Sequence, residues 1–204
     1  KITDAANQIY QFSYDRQGNV ISRIDANAKT TTYQYDVLNR LYRINYPDGS
    51  YVQYTLDNVG NITQMQGSTG TTNYTYDKVN RLKSHLYPDA TRLDYTYDLN
   101  GNRITLETTG FGRVLYDYDS LNRLTKITAP DGKTSQFSYD RLFRRNQAIY
   151  PNGALTTYSY DNASRLTQLI NKDKTSQDIS KFIYTYDNAS RRTRINLING
   201  SVNY

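Results

Sequence analysis

Residues 31–41 read Thr-Thr-Tyr-Gln-Tyr-Asp-Val-Leu-Asn-Arg-Leu, and Tyr46-Pro47-Asp48-Gly49 follows a short strand-length later. In an extended chain residues two apart share a face, so Tyr33 and Tyr35 point one way while Thr32 and Gln34 point the other. Asp36 ends the aromatic pair with turn chemistry: its side chain can accept backbone N–H groups two residues on, and Asn39 tolerates the left-handed conformation. At the second turn Pro47 fixes φ at the first corner and Gly49 supplies the left-handed position. The segment therefore predicts strand, turn, strand, turn.

The same unit recurs along the chain. Aromatic-x-aromatic-Asp stands at Phe12-Ser13-Tyr14-Asp15, Tyr33-Gln34-Tyr35-Asp36, Tyr74-Thr75-Tyr76-Asp77, Tyr95-Thr96-Tyr97-Asp98 and Tyr116-Asp117-Tyr118-Asp119. It continues at Phe137-Ser138-Tyr139-Asp140, Tyr158-Ser159-Tyr160-Asp161 and Tyr184-Thr185-Tyr186-Asp187, and Tyr54-Thr55-Leu56-Asp57 is a variant with leucine second. The nine aspartates are separated by 21, 21, 20, 21, 21, 21, 21 and 26 residues, so one period runs nearly the whole length. Four residues after each comes Asn (Asn19, Asn61, Asn102) or Arg (Arg40, Arg81, Arg123, Arg144, Arg165, Arg191). Over the first six units Gly-Asn alternates with Asn-Arg, which adds a two-unit rhythm of about 42 residues. All four prolines, Pro47, Pro88, Pro130 and Pro151, occupy the second turn.

Nine hairpins in tandem predict an all-β chain of about eighteen strands, a long antiparallel sheet that must curve because strand twist accumulates. Neighbouring strands lie about 4.8 Å apart, which places equivalent tyrosines of successive hairpins roughly 10 Å apart in a column. Composition agrees. The 204 residues include 22 Tyr, 5 Phe and a single glutamate, Glu107, so strand formers are abundant and helix formers scarce. Mean hydropathy is −0.81, but disordered chains of that polarity lack aromatic residues and this one does not. The array is expected to be one domain over 1–204, without a separate catalytic domain. Two places break the period, Gly67-Ser68-Thr69-Gly70 and residues 171–181, and both are expected to be loops. Lys1 to Asp4 aligns with Ser22 to Asp25 one period on, and Asn199-Gly200 resembles a second turn leading into Ser201 to Tyr204. The chain thus reads as an internal part of a longer array, truncated mid-repeat at both ends.

The same inventory excludes most chemistry. Cysteine is absent, which removes disulfides, thiolate zinc sites and cysteine nucleophiles. His85 is the only histidine and reads as a packed or surface strand residue, not a general base. Of eighteen aspartates, nine are the repeat Asp and three more are Asp48, Asp89 and Asp131 of the second turn, so most carboxylates form turns. A calcium site would need several liganding oxygens in one loop, and each turn offers one Asp beside Asn or Arg. Polysaccharide hydrolysis would need paired carboxylates, for which one glutamate and turn-bound aspartates are a poor source. The formal charge of +6 is spread without long runs, which argues against nucleic acid, and no apolar stretch is long enough to span a membrane. The arginine column and the tyrosine ladder are read as structural, Arg pairing with turn carboxylates or covering a tyrosine face and Tyr stacking unit on unit. No catalytic, cofactor or metal residue is expected. Sequons at Asn61, Asn73, Asn162, Asn188 and Asn199 matter only in a glycosylating host.

The run from Thr31 to Leu41 followed by Tyr46-Pro47-Asp48-Gly49, repeated in nine copies, closely resembles the RHS or YD-repeat family. The residues carrying the signature are Tyr14, Asp15, Tyr33, Tyr35, Asp36, Arg40, Tyr54, Asp57, Tyr74, Tyr76, Asp77, Arg81, Tyr95, Tyr97 and Asp98, then Tyr116, Tyr118, Asp119, Arg123, Tyr139, Asp140, Tyr158, Tyr160, Asp161, Arg165, Tyr184, Tyr186 and Asp187. The resemblance implies hairpin strips that spiral into a hollow shell. It also implies a secreted or cell-surface, non-enzymatic wall around a toxin or other cargo, as in polymorphic toxins and toxin complexes, with a related shell in teneurins. The family's closure segment and any toxin domain are missing from these residues. Arg103, Arg145 and Arg192 replace the usual leucine, which puts inward packing there in question. A second reading follows from open strand edges: a fibre or adhesin assembled edge to edge, with a surface glycan as a further partner.

Overall fold

In a computed structural model the chain is described over residues 2–3, 9–198 and 200–203. Lys1, Asp4, Asn199 and Tyr204, on which part of the reading of the two ends and one sequon rest, lie outside the described residues. All secondary structure among the described residues is β. It forms two compact units, residues 1–95 with 107–110 and residues 96–106 with 111–204.

The first unit holds β1 (Ile2–Thr3), β2 (Ile9–Tyr14), β3 (Val20–Ile24), β4 (Thr30–Tyr35), β5 (Leu41–Asn45), β6 (Tyr51–Leu56), β7 (Ile62–Gly67), β8 (Gly70–Tyr76) and β9 (Leu82–Leu86), with most of β10 (Arg92–Tyr97). Each strand pairs antiparallel with the next. The second unit holds most of β11 (Arg103–Thr108), then β12 (Gly112–Tyr118), β13 (Leu124–Thr128), β14 (Thr134–Tyr139), β15 (Arg145–Ile149), β16 (Leu155–Tyr160), β17 (Leu166–Lys172), β18 (Asp178–Tyr186), β19 (Arg192–Leu197) and β20 (Gly200–Asn203). From β12 to β20 it is the same meander. The nine hairpins account for β2 to β19. The partial repeats at the two ends add β1 and β20, which brings the count among the described residues to twenty where about eighteen were expected.

Both places expected to be loops are hairpins. At Gly67-Ser68-Thr69-Gly70 the strands β7 and β8 are paired up to Gly67↔Gly70, leaving only Ser68 and Thr69 as the turn. The insertion lengthens a hairpin: β17 runs to Lys172, β18 starts at Asp178, and Asn171 faces Ser180. Added residues that extend the ladder leave fewer backbone groups without a partner than the same residues would as a loop, since those facing across the hairpin are paired.

Eight of the nine repeat Asp turns are flanked by a bulge in the described ladders. In β4–β5 the ladder steps from Gln34↔Arg43 to Tyr35↔Leu41, so Tyr42 is an extra residue. The same shift occurs beside Tyr14, Leu56, Tyr76, Tyr118, Tyr139, Tyr160 and Tyr186. Its effect is to put Leu41 and Ile44, three residues apart, on the tyrosine face, where strict alternation would have placed Arg43. The first unit is consequently two-faced. One face carries Tyr33, Tyr35, Leu41, Ile44, Val52, Tyr54 and Met65, and the other Thr32, Gln34, Arg43, Asn45, Gln53, Thr55 and Gln64.

With one layer in each unit, burial comes from neighbours within a face. Ala148 is the sole buried apolar residue among the described ones, alongside Thr72, Ser84 and Thr156, and no large side chain is fully buried. The tyrosines of the ladder are mostly half-buried, and the residue between each aromatic pair is exposed.

Candidate functional surface: the tyrosine–arginine face

The repeat Asp organises its turn from within. Asp36 Oδ1 accepts the backbone N–H groups of Leu38 (2.9 Å) and Arg40 (3.0 Å), and Oδ2 accepts Arg40 Nε at 2.7 Å. The arrangement repeats at Asp77, Asp119, Asp140, Asp161 and Asp187, with Arg81, Arg123, Arg144, Arg165 and Arg191 as partners. At Asp15, Asp57 and Asp98 the amide of Asn19, Asn61 or Asn102 takes the arginine's place at 2.8, 2.9 and 2.8 Å. The Arg40 backbone N–H and then its guanidinium hold the Asp36 carboxyl below the usual carboxylate range, while the Asn19 amide leads the same effect at Asp15.

At six turns the closing residue also ties its turn to the next. Asn19, Asn61 and Asn102 donate to Oδ1 of Asn39, Asn80 and Asn122, one hairpin on, at 3.1, 3.0 and 2.7 Å. Arg40, Arg144 and Arg165 donate through Nη1 to the carbonyls of Asp57, Asp161 and Asp187 at 2.7, 2.9 and 3.0 Å. From Asn19 through Arg40 to Asn61 the alternation of Gly-Asn with Asn-Arg is thus an alternation of two kinds of rung. Arg123, Arg144 and Arg165 in addition lie over Tyr139, Tyr160 and Tyr186, at 4.7, 4.6 and 4.9 Å from the ring centroids.

In six of the pairs the second aromatic forms a third rung, in the opposite direction. Between consecutive hairpins the β13–β14 ladder runs from Thr128↔Thr134 to Lys126↔Gln136. Beyond it the Tyr139 hydroxyl donates to the Leu124 carbonyl at 2.8 Å. Tyr35, Tyr76, Tyr118, Tyr160 and Tyr186 do the same to the carbonyls of Val20, Ile62, Arg103, Arg145 and Leu166. Desolvation pushes the hydroxyls of Tyr35, Tyr74, Tyr76, Tyr118 and Tyr160 above the ordinary tyrosine pKa. Tyr160→Phe is expected to cost about 1 kcal/mol by removing one such bond and leaving the Arg145 carbonyl to water, read as a lowered urea midpoint with unchanged slope.

The first aromatic packs across its own hairpin: Tyr33 faces Ile44, Tyr54 Met65, Tyr74 His85, Tyr116 Ile127, Tyr158 Leu169 and Tyr184 Ile195. Tyr14 is exposed, while Tyr95 and Tyr97 lie on β10 at the equivalent positions. Arg103, Arg145 and Arg192 keep the packing where leucine is replaced, because their guanidinium groups cover Tyr116, Phe137 and Tyr184 at 4.7, 4.7 and 5.6 Å. His85 is stacked between Tyr74 (4.7 Å) and Tyr87 (4.0 Å), and its buried Nε2 has no hydrogen-bond partner. Burial lowers its pKa below 6.5.

These groups define the pH range of stability. The turn aspartates have folded pKa values below their unfolded ones, so their contribution is present above about pH 4 and is lost as pH falls through the folded values. His85 is also depressed, so the unfolded chain takes up its proton first and stability begins to fall below about pH 6.5. The five tyrosines are raised, and their contribution is lost as pH climbs through their folded values above about 10. A plateau between about pH 6.5 and 10 is expected in urea titrations. His85→Phe should remove the loss that begins below about pH 6.5 and leave the one below about pH 4.

The sequence singled out the aspartates, arginines and tyrosines that the structure brings together. It missed the third-position partners such as Ile44, Met65 and Ile127, although their spacing of three from Leu41, Ile62 and Leu124 was a readable sign of the bulge. Among the described residues no three metal-ligating side chains cluster, and no helix is long and apolar enough to cross a membrane.

Strands locked hairpin to hairpin by Asn and Arg donors to the next turn and by tyrosine rungs define a tandem β-hairpin repeat protein. A family model of the RHS repeat matches residues 14–51 and 118–155. The fold is shared with crystal structures of TcdB2-TccC3 (TM-score 0.76, 15% identity, 95% of this chain and 12% of that one) and TcdB2-TccC3-TEV (0.75, 15%, 93% and 11%). TcdB2-TccC3 without its hypervariable C-terminal region aligns at 0.58, with 13% identity over 94% of this chain and 15% of that one. The chain spans about a ninth of the length of the first two. No curated protein sequence matches it.

Proposed function

We propose that the chain is a non-enzymatic wall segment of a secreted or cell-surface RHS-repeat protein whose shell encapsulates a toxin or other cargo. The observation that carries the reading is that the recurring reactive groups are used up internally: the repeat aspartates on their own turns, the arginines on the next turn, the tyrosine hydroxyls on the preceding hairpin. What remains is a two-faced sheet, aromatic on one side and amide- and hydroxyl-rich on the other, a surface suited to separating an interior from solvent. Its partners are further repeats of the same strip and the enclosed cargo. Nucleic acid is not among them, since the arginines of the column are paired with aspartates and laid on tyrosines.

Negative-stain electron microscopy with mass from light scattering tests this. Curved strips or closed hollow particles support a wall. Regular fibres growing by edge pairing overturn it in favour of a filament or adhesin.

A further inference from the structure

The hairpin lengthened by the insertion is covered on one side only. Strand β17 is paired along its length with β16, from Tyr160↔Leu166 to Leu155↔Lys172. Strand β18, nine residues long, meets β19 only from Phe182↔Leu197 to Tyr186↔Arg192. Asp178 to Lys181 are therefore held by β17 through Asn171↔Ser180 and Lys172↔Asp178, while their other edge runs past the end of β19. Backbone groups on such an edge are a template for another strand.

The edge opens on a groove lined by Ile179, Ser180, Lys181, Phe182, Leu197 and Ile198. Ile179, Leu197 and Ile198 are 63%, 41% and 49% exposed, a concentration of aliphatic surface beside backbone that no described residue pairs on that side. Lys172 is neutralised by Asp178 at 2.7 Å, whereas Lys181 has no ion-pair partner among the described residues. The backbone offers hydrogen bonds to an extended main chain, the groove takes an apolar side chain, and Lys181 supplies charge for a carboxylate.

We propose that the β18 edge at 178–181 binds an extended peptide segment by strand addition, in line with β19, with an aliphatic side chain in the groove and an acidic residue near Lys181. The site is independent of the wall reading: it would exist in a strip, a shell or a fibre. A fluorescein-labelled, end-blocked hexapeptide Val-Thr-Val-Asp-Val-Thr is a suitable probe, titrated by anisotropy against the full chain. Saturable binding is expected. It should weaken at least about tenfold with Ile179→Asp, which removes one buried aliphatic group and adds a charge repelling the probe's carboxylate. Lys181→Glu should weaken it by a smaller factor, and N-methylation of alternate peptide amides on the bonding edge should abolish it. Ile179 is exposed, so the variant keeps the fold, which near-ultraviolet circular dichroism of the tyrosines verifies. Absence of binding overturns the proposal, as does binding indifferent to N-methylation in both registers. A dimer in sedimentation that Ile179→Asp dissolves overturns it too, because the edge would then be occupied by a second copy.

Discussion

Gly70→Ala is expected to destabilise the first unit by about 3 kcal/mol, the largest effect of any single methyl group added to it. Gly70 has φ +114°, a conformation that an alanine side chain resists, and a Cβ built there would stand 2.8 Å from Pro88 Cβ. The contact arises because the short turn at Ser68-Thr69 replaces a Pro-Asp-Gly turn, so the neighbouring hairpin's proline closes over the β8 start. Strain and collision add, and neither relaxes cheaply, since Pro88 is held in a turn whose Tyr87 N–H bonds the Thr91 carbonyl at 2.9 Å. Gly49→Ala is the control. Gly49 has φ +85° with nothing within 4 Å of the added Cβ, so it should cost only about 1 kcal/mol. Equal urea midpoints for the two variants would refute the packing of Pro88 on Gly70.

Ala148→Leu should cost the second unit about 2 kcal/mol. Ala148 is 1% exposed and sits opposite Phe137, whose ring the Arg145 guanidinium covers, on one side and Thr156 on the other. A leucine there must lift Arg145 from its ring or tilt Phe137 out of the face. Ala163→Leu adds the same atoms at a turn tip, where Leu121 and Leu142 already stand 55% and 60% exposed, and should change stability by less than about 0.5 kcal/mol. A thermal melt in which the two variants behave alike would mean that the face has slack the structure does not show.

Much of this architecture is legible in the residues. The period, the two turn types and the pairing of Asp with the residue four later follow from Asp36-Val37-Leu38-Asn39-Arg40 and its copies, because turn chemistry is local. Phe143 shows how strongly: at φ 65° it occupies the left-handed position that Asn39, Asn80 and Asn122 fill elsewhere, and the turn forms regardless. Its ring lies 5.4 Å from the Arg123 guanidinium, a contact between turns that no local rule supplies.

By itself, then, the sequence determined that the chain folds as nine hairpins, with tyrosines on one face, and which groups close each turn. Each of those depends on residues within four or five positions of one another. Only the tertiary structure decided where the hairpins lock together. The tyrosine hydroxyls reach carbonyls fourteen to twenty residues back, and the arginines reach carbonyls seventeen to twenty-two residues ahead. Those partners are backbone atoms, which every residue carries and no sequence pattern marks. The bulge that brings Ile44 beside Tyr33, and the unequal strand ends that leave β18 open, likewise come from register between strands, which is fixed by packing across the ladder.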